Sequence, residues 1–358
     1  MTAVIPAGVE TARDLVGPAL AVAVDRLSPD VRKVAAYHLG LAGPEGAPPG
    51  AADGARPGGA RGGQGARGRP PGAGKALRPA LTLLSARAAN ATPERGVPAA
   101  VAVELVHNFS LLHDDIMDGD TERRHRPTAW TVYGIGPAIL AGDALLALAH
   151  DLLLEGPAPQ GTWASRCLSA AVQRLIAGQG ADLAFERRDN VTLDECRQMA
   201  GDKTAALMAG ACSIGAIYVG APAVLAMGLA GFGAHVGLAF QLTDDLLGIW
   251  GAPEVTGKPV MSDLRTRKKS LPVVAALTSE TDAGRELAEL LAQPEPLTED
   301  QLAHGAGLVE AAGGRMWAET EADTALAAAG RCLTETEMPD DVRAEYAAIA
   351  EFITARQW

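Results

Sequence analysis

Residues 111–120 read LLHDDIMDGD, a run in which four carboxylates interrupt an apolar helical pattern. On a helix, Asp114 and Asp118 lie one turn apart on the same face, and Asp115 lies beside them. Like charges at this spacing destabilise a helix, and a bound cation would remove that cost. Clustered carboxylate oxygens suit hard divalent cations such as Mg²⁺. The stretch predicts a metal site on a helix, with a solvated acidic helix end as the alternative.

The surrounding sequence has the composition of an all-α protein. Hydrophobic residues make up 48% of the 358 residues but aromatic residues only 4%, so alanine and leucine dominate and favour helix over sheet. No convincing alternating strand pattern is present. The net charge of −12 argues against nucleic acid as the main partner. Periodic stretches between Gly and Pro breaks predict helices near 76–90, 94–118, 134–154, 163–181, 192–201, 203–219, 222–250, 270–278, 282–292, 298–313, 315–332 and 339–356.

The chain divides into three segments by composition. Residues 1–42 carry a helical pattern and belong with the main helical domain at 75–358. Between them, residues 43–74 consist almost entirely of Gly, Ala, Pro and Arg. Such a segment cannot bury enough apolar surface to offset its chain entropy, so it is predicted to be disordered. It is either a tolerated loop insertion or a docking segment for a partner.

The stretch from Thr204 to Thr243 contains no Asp, Glu, Lys or Arg, which is a composition typical of a transmembrane span. Gly and Pro interrupt it, however, and small residues dominate. A pair of buried core helices with a tight connection is the better interpretation.

Four scattered cysteines without a CxxC pair indicate reduced thiols, and the first residues lack a signal-peptide pattern. A cytoplasmic protein is expected.

A second acidic pair, Asp244 and Asp245, ends this charge-free stretch in FQLTDDLLG (240–248). Burial of an unpaired charge is costly, so a cation or a cavity is implied unless the helix simply reaches solvent here. Basic residues accompany both acidic motifs, and each alone could be a solvated surface residue: Lys75, Arg78, Arg123, Arg124, Arg126, Lys203, Lys258, Arg267, Lys268 and Lys269. Mg²⁺-binding carboxylates together with Arg and Lys clusters describe a diphosphate site.

Six separated motifs occur in the order and spacing of one known family. They are GKALRP (74–79), ELVHNFSLLHDDIMDGDTERRHRPT (104–128), GQGADLAFE (178–186), KTAAL (203–207), FQLTDDLLG (240–248) and GKPVMSDLRTRKKSLP (257–272). The chain thereby resembles the trans-prenyl diphosphate synthases. The resemblance implies an all-α isoprenoid synthase fold around a deep central cavity, and a homodimer. It also implies head-to-tail condensation of isopentenyl diphosphate with dimethylallyl, geranyl or farnesyl diphosphate.

The resemblance assigns roles to individual residues. Two acidic sets would hold Mg²⁺, as three ions once substrate is bound: Asp114, Asp115 and Asp118, then Asp244 and Asp245. The positions expected to bind isopentenyl diphosphate are Lys75, Arg78, His107 and Arg124. Those expected to bind the allylic diphosphate are Arg123, Lys203, Lys258 and Lys268. Polar groups near the reaction centre would be Thr204, Gln241 and the amide of Gln179. The residues expected to act most directly in catalysis are Asp114, Asp115, Arg123, Lys203 and Asp244.

The second motif departs from the family at Gly248, where a third aspartate is usual. The metal site is expected to survive, with a weaker affinity for Mg²⁺. Phe109 and Ser110 lie about one helical turn before Asp114, where a growing prenyl tail would pass. An aromatic residue there resembles geranylgeranyl-type enzymes, so a C20 product is predicted, with C15 next, unless Phe109 is only a core residue. A class I terpene cyclase and a non-catalytic partner subunit are the alternative functions.

Overall fold

The structure is a computed structural model that describes residues 5–44, 76–124, 126–252 and 260–354. Lys75, His125, Lys258 and residues 45–74 lie outside these ranges, so the predictions for Lys75, Lys258 and the bulk of the 43–74 insert concern undescribed residues. The helices are α1 Ala7–Val24, α2 Pro29–His38, α3 Leu77–Ala88, α4 Pro93–Met117, α5 Ala129–Tyr133, α6 Ile135–Leu154, α7 Gln160–Phe185, α8 Leu193–Ala200, α9 Ala206–Val219, α10 Ala223–Trp250, α11 Ser262–Arg265, α12 Leu271–Leu277, α13 Asp282–Leu291, α14 Glu299–Ala311, α15 Gly314–Glu335 and α16 Asp340–Thr354.

The described residues confirm the all-α prediction, with a few local differences. A π-helical turn at Gly201–Ala205 joins α8 to α9. Two-residue strands, β1 (Glu122–Arg123) and β2 (Arg126–Pro127), pair antiparallel after α4. The sequence shows no alternating pattern at this hairpin, because two-residue strands are too short to form one. The helix predicted at 163–181 extends to both sides and forms the 26 residues of α7.

The charge-free stretch forms α9 and α10, which meet at Gly220 with a positive φ of 86°. These helices pack against each other, α9 also packs on α3 and α7, and α10 packs on α15. By length and composition, α6 and α10 could each cross a membrane. In the structure, α6 packs along α4, and α10 packs within the bundle. The interpretation of 204–243 as paired core helices is confirmed, and all four cysteines are free thiols.

Three elements bring the acidic motifs close together. The first motif lies at the C-terminal end of α4, and the second lies in the last two turns of α10. Both helices pack against α9, and the π-helical turn lies directly before α9. The turn follows α8, whose start is fixed by a capping box: Glu195 N–H donates to Thr192 Oγ1 at 3.2 Å, and Thr192 N–H donates to Glu195 Oε2 at 3.0 Å.

Candidate active site

The first acidic motif presents its three aspartates in different surroundings. Helix α4 ends at Met117, and Asp118 caps it by donating its backbone N–H to the carbonyl of Asp114 at 2.8 Å. Asp118 is exposed and Asp114 is half-buried, whereas only 1% of Asp115 is exposed. The buried Asp115 accepts a hydrogen bond at 2.6 Å from Nε of Arg123, which lies on β1. Asp115 therefore holds an arginine in place beside the outward-facing pair.

Electrostatics at Asp114 fit a site for a cation. Burial raises the pKa of the Asp114 carboxyl to about 6. Lys203 opposes this rise, and the carboxylate of Asp118 one turn away adds to it. A divalent cation between these two carboxylates would favour their charged forms and remove the repulsion.

The second motif is built around a buried carboxylate network. Asp245, 3% exposed, accepts hydrogen bonds from Gln241 Nε2 at 2.8 Å and from the Leu271 backbone N–H at 3.0 Å. Lys268 Nζ lies 3.4 Å from the same carboxylate. The other end of the Gln241 amide accepts from Thr204 Oγ1 at 2.6 Å. This chain of contacts links α10 to the π-helical turn.

Both motifs thus share one arrangement. In each, a buried aspartate pairs with a basic side chain, as Asp115 does with Arg123 and Asp245 with Lys268. The neighbouring aspartate is less buried: Asp114 is half-buried, and Asp244 is exposed. Burial alone would lower the pKa of Lys268, but four carboxylates raise it above its ordinary value: Asp245, Asp263, Asp182 and Asp244.

The π-helical turn places Lys203 and Thr204 between the two motifs. Lys203 Nζ pairs with the carboxylate of Asp182 on α7, a partner that the sequence did not reveal. The turn lies so close to α7 that a Cβ on Gly178 would meet the Lys203 backbone N at 2.3 Å. Next to that contact, Gln179 is 5% exposed, and neither amide atom has a hydrogen-bond partner among the described residues. A buried amide of this kind is available to a ligand.

Residues predicted to bind isopentenyl diphosphate form a basic cluster beside α4. Arg78 Nη1 lies 3.3 Å from His107 Nε2, and burial lowers the pKa of Arg78. Burial also lowers the pKa of His107 well below its ordinary value, and Arg78 and Arg124 add to this effect. His107 is therefore neutral and accepts from Arg78. Arg124 stands at the hairpin turn with a φ of 54°, a conformation that non-glycine residues adopt at a cost.

The sequence analysis missed one member of this cluster. His38, the last residue of α2, lines a small cavity of about 20 Å³ together with Arg123, Arg124 and Arg126. Burial lowers the pKa of His38 to about 3, and the three arginines add to this shift. Nothing in the sequence near His38 signals this role, because the residue reaches the cluster only through the packing of α2. Arg126 anchors it there by donating to the carbonyl of Tyr37 at 3.3 Å.

The predicted chain-length residues lie on the inner side of α4. Phe109 is 6% exposed, and its ring packs edge-on against His113 with centroids 4.9 Å apart. Ser110 is also buried and donates its hydroxyl to the carbonyl of His107 at 2.8 Å. Both positions are compatible with a floor one turn from Asp114 and equally with a core role.

The outward-facing groups, Asp114, Asp118 and Asp244, are hard oxygen donors of the type that Mg²⁺ prefers. Among the residues that the structure describes, no three acidic, His or Cys side chains converge closely enough to hold an ion alone. Mg²⁺ commonly takes one or two carboxylates from the protein and completes its shell with waters and substrate phosphates. The donor set fits that mode of binding.

Comparison with known proteins decides the family. The sequence pattern of the polyprenyl synthetase family matches residues 71–305. The chain belongs to this family. It is therefore a prenyltransferase, and the alternative of a class I terpene cyclase is not supported.

Known proteins match this chain along nearly its whole length. It is 46% identical to "(2E,6E)-farnesyl diphosphate synthase" of Mycobacterium tuberculosis, over 97% of this chain and 92% of the relative. It is 40% identical to "Geranylgeranyl diphosphate synthase" of the same organism, over 97% of this chain and 93% of the relative. The solved structure of a polyprenyl synthetase from Streptomyces coelicolor A3(2) superposes with a TM-score of 0.85 at 47% identity, covering 96% of this chain and 98% of that one. The protein is a prenyl diphosphate synthase with the all-α isoprenoid synthase fold.

Proposed function

We propose that this synthase condenses isopentenyl diphosphate with allylic diphosphates up to a C20 product, geranylgeranyl diphosphate. The observation that supports the site assignment is the chain of contacts from Lys203 and Thr204 through Gln241 to Asp245 and Lys268. It joins the second acidic motif to the turn that also lies beside Asp114. In this proposal the two acidic motifs and their basic partners face one site, on either side of the turn.

Metal ions would bind to the outward-facing carboxylates of this site. Synthases of this family depend on Mg²⁺, and we assign Asp114, Asp118 and Asp244 as its ligands, with three ions once substrate is bound. The metal would stabilise negative charge on the departing diphosphate. In this assignment Asp115 and Asp245 act by orienting Arg123 and Lys268 toward the same oxygens, and Lys203 adds a third basic group.

The basic cluster beside α4 would hold isopentenyl diphosphate. Arg78, His107 and Arg124 are its described members, and Lys75 completes the set predicted from the sequence. The allylic C–O bond breaks, and the electron pair leaves with the diphosphate. The double bond of isopentenyl diphosphate then forms the new C–C bond, and one proton is lost to the departing diphosphate. No side-chain nucleophile is needed, while the apolar helices keep water from the cation.

Phe109 supports the C20 assignment, because a bulky ring one turn from Asp114 would stop a tail of that length. C15 is the second candidate, since the relative with 46% identity is named as a farnesyl diphosphate synthase.

We further propose that the enzyme works as a homodimer in the cytoplasm. Large apolar side chains on the outer faces of α6 and α7 support the dimer: Ile135, Ile139, Leu140, Leu154, Trp163 and Ile176 are all exposed in the single chain.

The test is a product analysis. Purified protein is incubated with Mg²⁺, isopentenyl diphosphate and, separately, dimethylallyl, geranyl and farnesyl diphosphate, and the dephosphorylated products are separated by chain length. The proposal expects C20 from all three primers and no product with a chelator. Arrest at C15 would favour the second candidate. A lack of product with every primer would favour a non-catalytic partner subunit and overturn the proposal.

A further inference from the structure

One histidine beside the candidate active site is not among the residues assigned to either substrate. His38 is the last residue of α2, and its Nε2 atom is buried without a hydrogen-bond partner among the described residues. Buried polar atoms are nearly always hydrogen-bonded, so an atom of this kind is available to a ligand that binds beside it. The neighbours of His38 indicate which ligand that is.

The space beside His38 is small and mostly basic. Its volume is about 20 Å³, and Arg123, Arg124 and Arg126 line it together with His38. A single water molecule needs about 10–15 Å³, so one oxygen atom fits here but a whole phosphate group does not. Asp115 also lines the space, but its carboxylate already accepts from Arg123. Guanidinium groups around such a space favour an oxygen that carries negative charge.

The isopentenyl site predicted from the sequence adjoins this space. Arg124 belongs to both, because it lines the space and its charge acts on His38 and on His107. His38 is also close enough to act electrostatically on His107, whose Nε2 lies 3.3 Å from Arg78 Nη1. The Nε atom of Arg78 is buried too, and the part of the chain that the structure describes offers it no hydrogen-bond partner. The two histidines therefore approach one basic cluster from α2 and α4.

The ring of His38 is uncharged near neutral pH. Burial lowers its pKa to about 3, and the three arginines act in the same direction, while the Asn108 amide opposes them. A neutral imidazole carries one N–H and one acceptor nitrogen. It adds no further positive charge to the cluster, and an N–H at Nε2 can donate to a bound anion.

We propose that His38 is a further substrate-binding residue, whose Nε2–H donates a hydrogen bond to one diphosphate oxygen of isopentenyl diphosphate. The proposal rests on the proposed function, which places this substrate at Arg78, His107 and Arg124. The arginines attract the diphosphate by charge, and His38 fixes one of its oxygens from the side of α2. A hydrogen bond to a charged acceptor is stronger than one between neutral groups, so its loss should be measurable.

The test measures binding without turnover. Isopentenyl diphosphate is titrated into the full chain in a calorimeter, with no allylic substrate present. His38→Leu is expected to raise the Kd about tenfold, because a hydrogen bond to a charged group is lost. His38→Gln keeps an N–H donor on a side chain of similar reach and should stay within about threefold of the unaltered protein. Melting temperatures without ligand check that both variants fold.

Two controls separate this role from a general effect on the site. A non-ionisable thio analogue of an allylic diphosphate, titrated with Mg²⁺, should bind both His38 variants like the unaltered protein. His150→Leu should leave the Kd for isopentenyl diphosphate unchanged. His150 is also partly buried, but it lies on α6 and already has a partner, the Ser165 hydroxyl at 2.9 Å from its Nδ1.

The outcomes distinguish the inference from the proposed function. Arg78→Gln reports on the predicted isopentenyl site itself and should weaken binding of isopentenyl diphosphate. If it does so while His38→Leu binds like the unaltered protein, the inference is wrong and the proposed function stands. Equal weakening by His38→Leu and His38→Gln, or weaker binding of the allylic analogue as well, would mean that His38 acts only through packing. If the unaltered protein does not bind isopentenyl diphosphate, both fail.

Discussion

Adjacent aspartates in each acidic motif differ in burial, and single residues therefore have separable roles. Asp245 is buried and accepts from three donors, whereas Asp244 is exposed. Asp115 shows the same burial and pairs with Arg123. Substitution should distinguish a carboxylate that faces the reaction from one that holds its neighbours.

Asp244→Asn is expected to lower activity, whereas Asp245→Asn is expected to lower stability. Asp244→Asn should lower kcat about 100-fold, because a charge that stabilises the transition state is lost, while the free energy of unfolding changes by less than about 0.5 kcal/mol. Asp245→Asn should lower the free energy of unfolding by about 2 kcal/mol, because hydrogen bonds to a buried charge are lost. Urea denaturation with steady-state kinetics checks both. Equal destabilisation by the two variants would contradict the account.

His38 predicts a pH dependence of stability. Its pKa is about 3 in the folded protein, below the ordinary value of 6.5, so the folded state binds fewer protons between these values. Stability should be fully present above pH 6.5 and fall as the pH drops toward 3, by at most about 1.4 kcal/mol for each pH unit. Asp114 acts in the opposite sense, since its raised pKa contributes stability that is lost as pH rises from its ordinary 3.8 to about 6.

His38→Asn removes only the first of these contributions. The difference in the free energy of unfolding between variant and unaltered protein, measured by urea denaturation from pH 7.5 to 5, should therefore shift steadily in favour of the variant as the pH falls. A difference that stays constant over this range would show that His38 titrates alike in the folded and unfolded chain.

Phe109 tests the assignment of product length. Phe109→Ala should shift the product beyond C20, because the ring no longer blocks the tail. Phe232→Ala is a matched control: Phe232 is also buried and also packs edge-on against a ring, that of Tyr346 at 5.1 Å. Both variants should lose about 3 kcal/mol of stability, but only the first should change the products separated by chromatography. An unchanged profile for Phe109→Ala would make that residue part of the core alone.

At the scale of elements, the contact between α7 and the π-helical turn positions Lys203. Gly178→Ala would force the turn away from α7, because the added Cβ meets Lys203 backbone atoms at 2.3 and 2.7 Å. We expect a loss of about 2 kcal/mol in the free energy of unfolding and a KM for the allylic substrate raised about tenfold through the displaced lysine.

Gly180→Ala is the control for this change. Gly180 lies on the same helix, and a Cβ there would meet nothing within 4 Å. It should leave the kinetics unchanged and stabilise the helix by up to about 1 kcal/mol. If the two variants have the same KM, the close approach at Gly178 does not position Lys203.

The same elements show what the sequence could and could not predict. Ala- and Leu-rich periodicity predicts α4, α9 and α10, because each of these helices buries a wide apolar face. The π-helical turn and the β1–β2 hairpin depend on contacts made across the fold, and no local pattern carries them. The acidic motifs were evident from spacing alone. Tertiary packing decides which aspartate of each pair turns inward. It also brings Asp182 and His38 to the site.

At the scale of the whole molecule, the exposed apolar residues of α6 and α7 predict a homodimer. Leu140→Glu together with Ile176→Glu should convert the dimer to a monomer in sedimentation equilibrium, since charges in an apolar interface are left unpaired. Val224→Glu with Met227→Glu is the control, because these residues are more exposed but lie at the start of α10. Dissociation by the control pair instead would place the interface on α10.

The central claim is that α4 and α10 hold one metal–diphosphate complex between them. A crystal structure with Mn²⁺ and a non-ionisable thio analogue of an allylic diphosphate tests it most directly, because anomalous scattering locates the ions. The account predicts ions that bridge the diphosphate to Asp114 and Asp118 on one side and to Asp244 on the other. Ions bound without contact to either motif, or to only one of them, would contradict it.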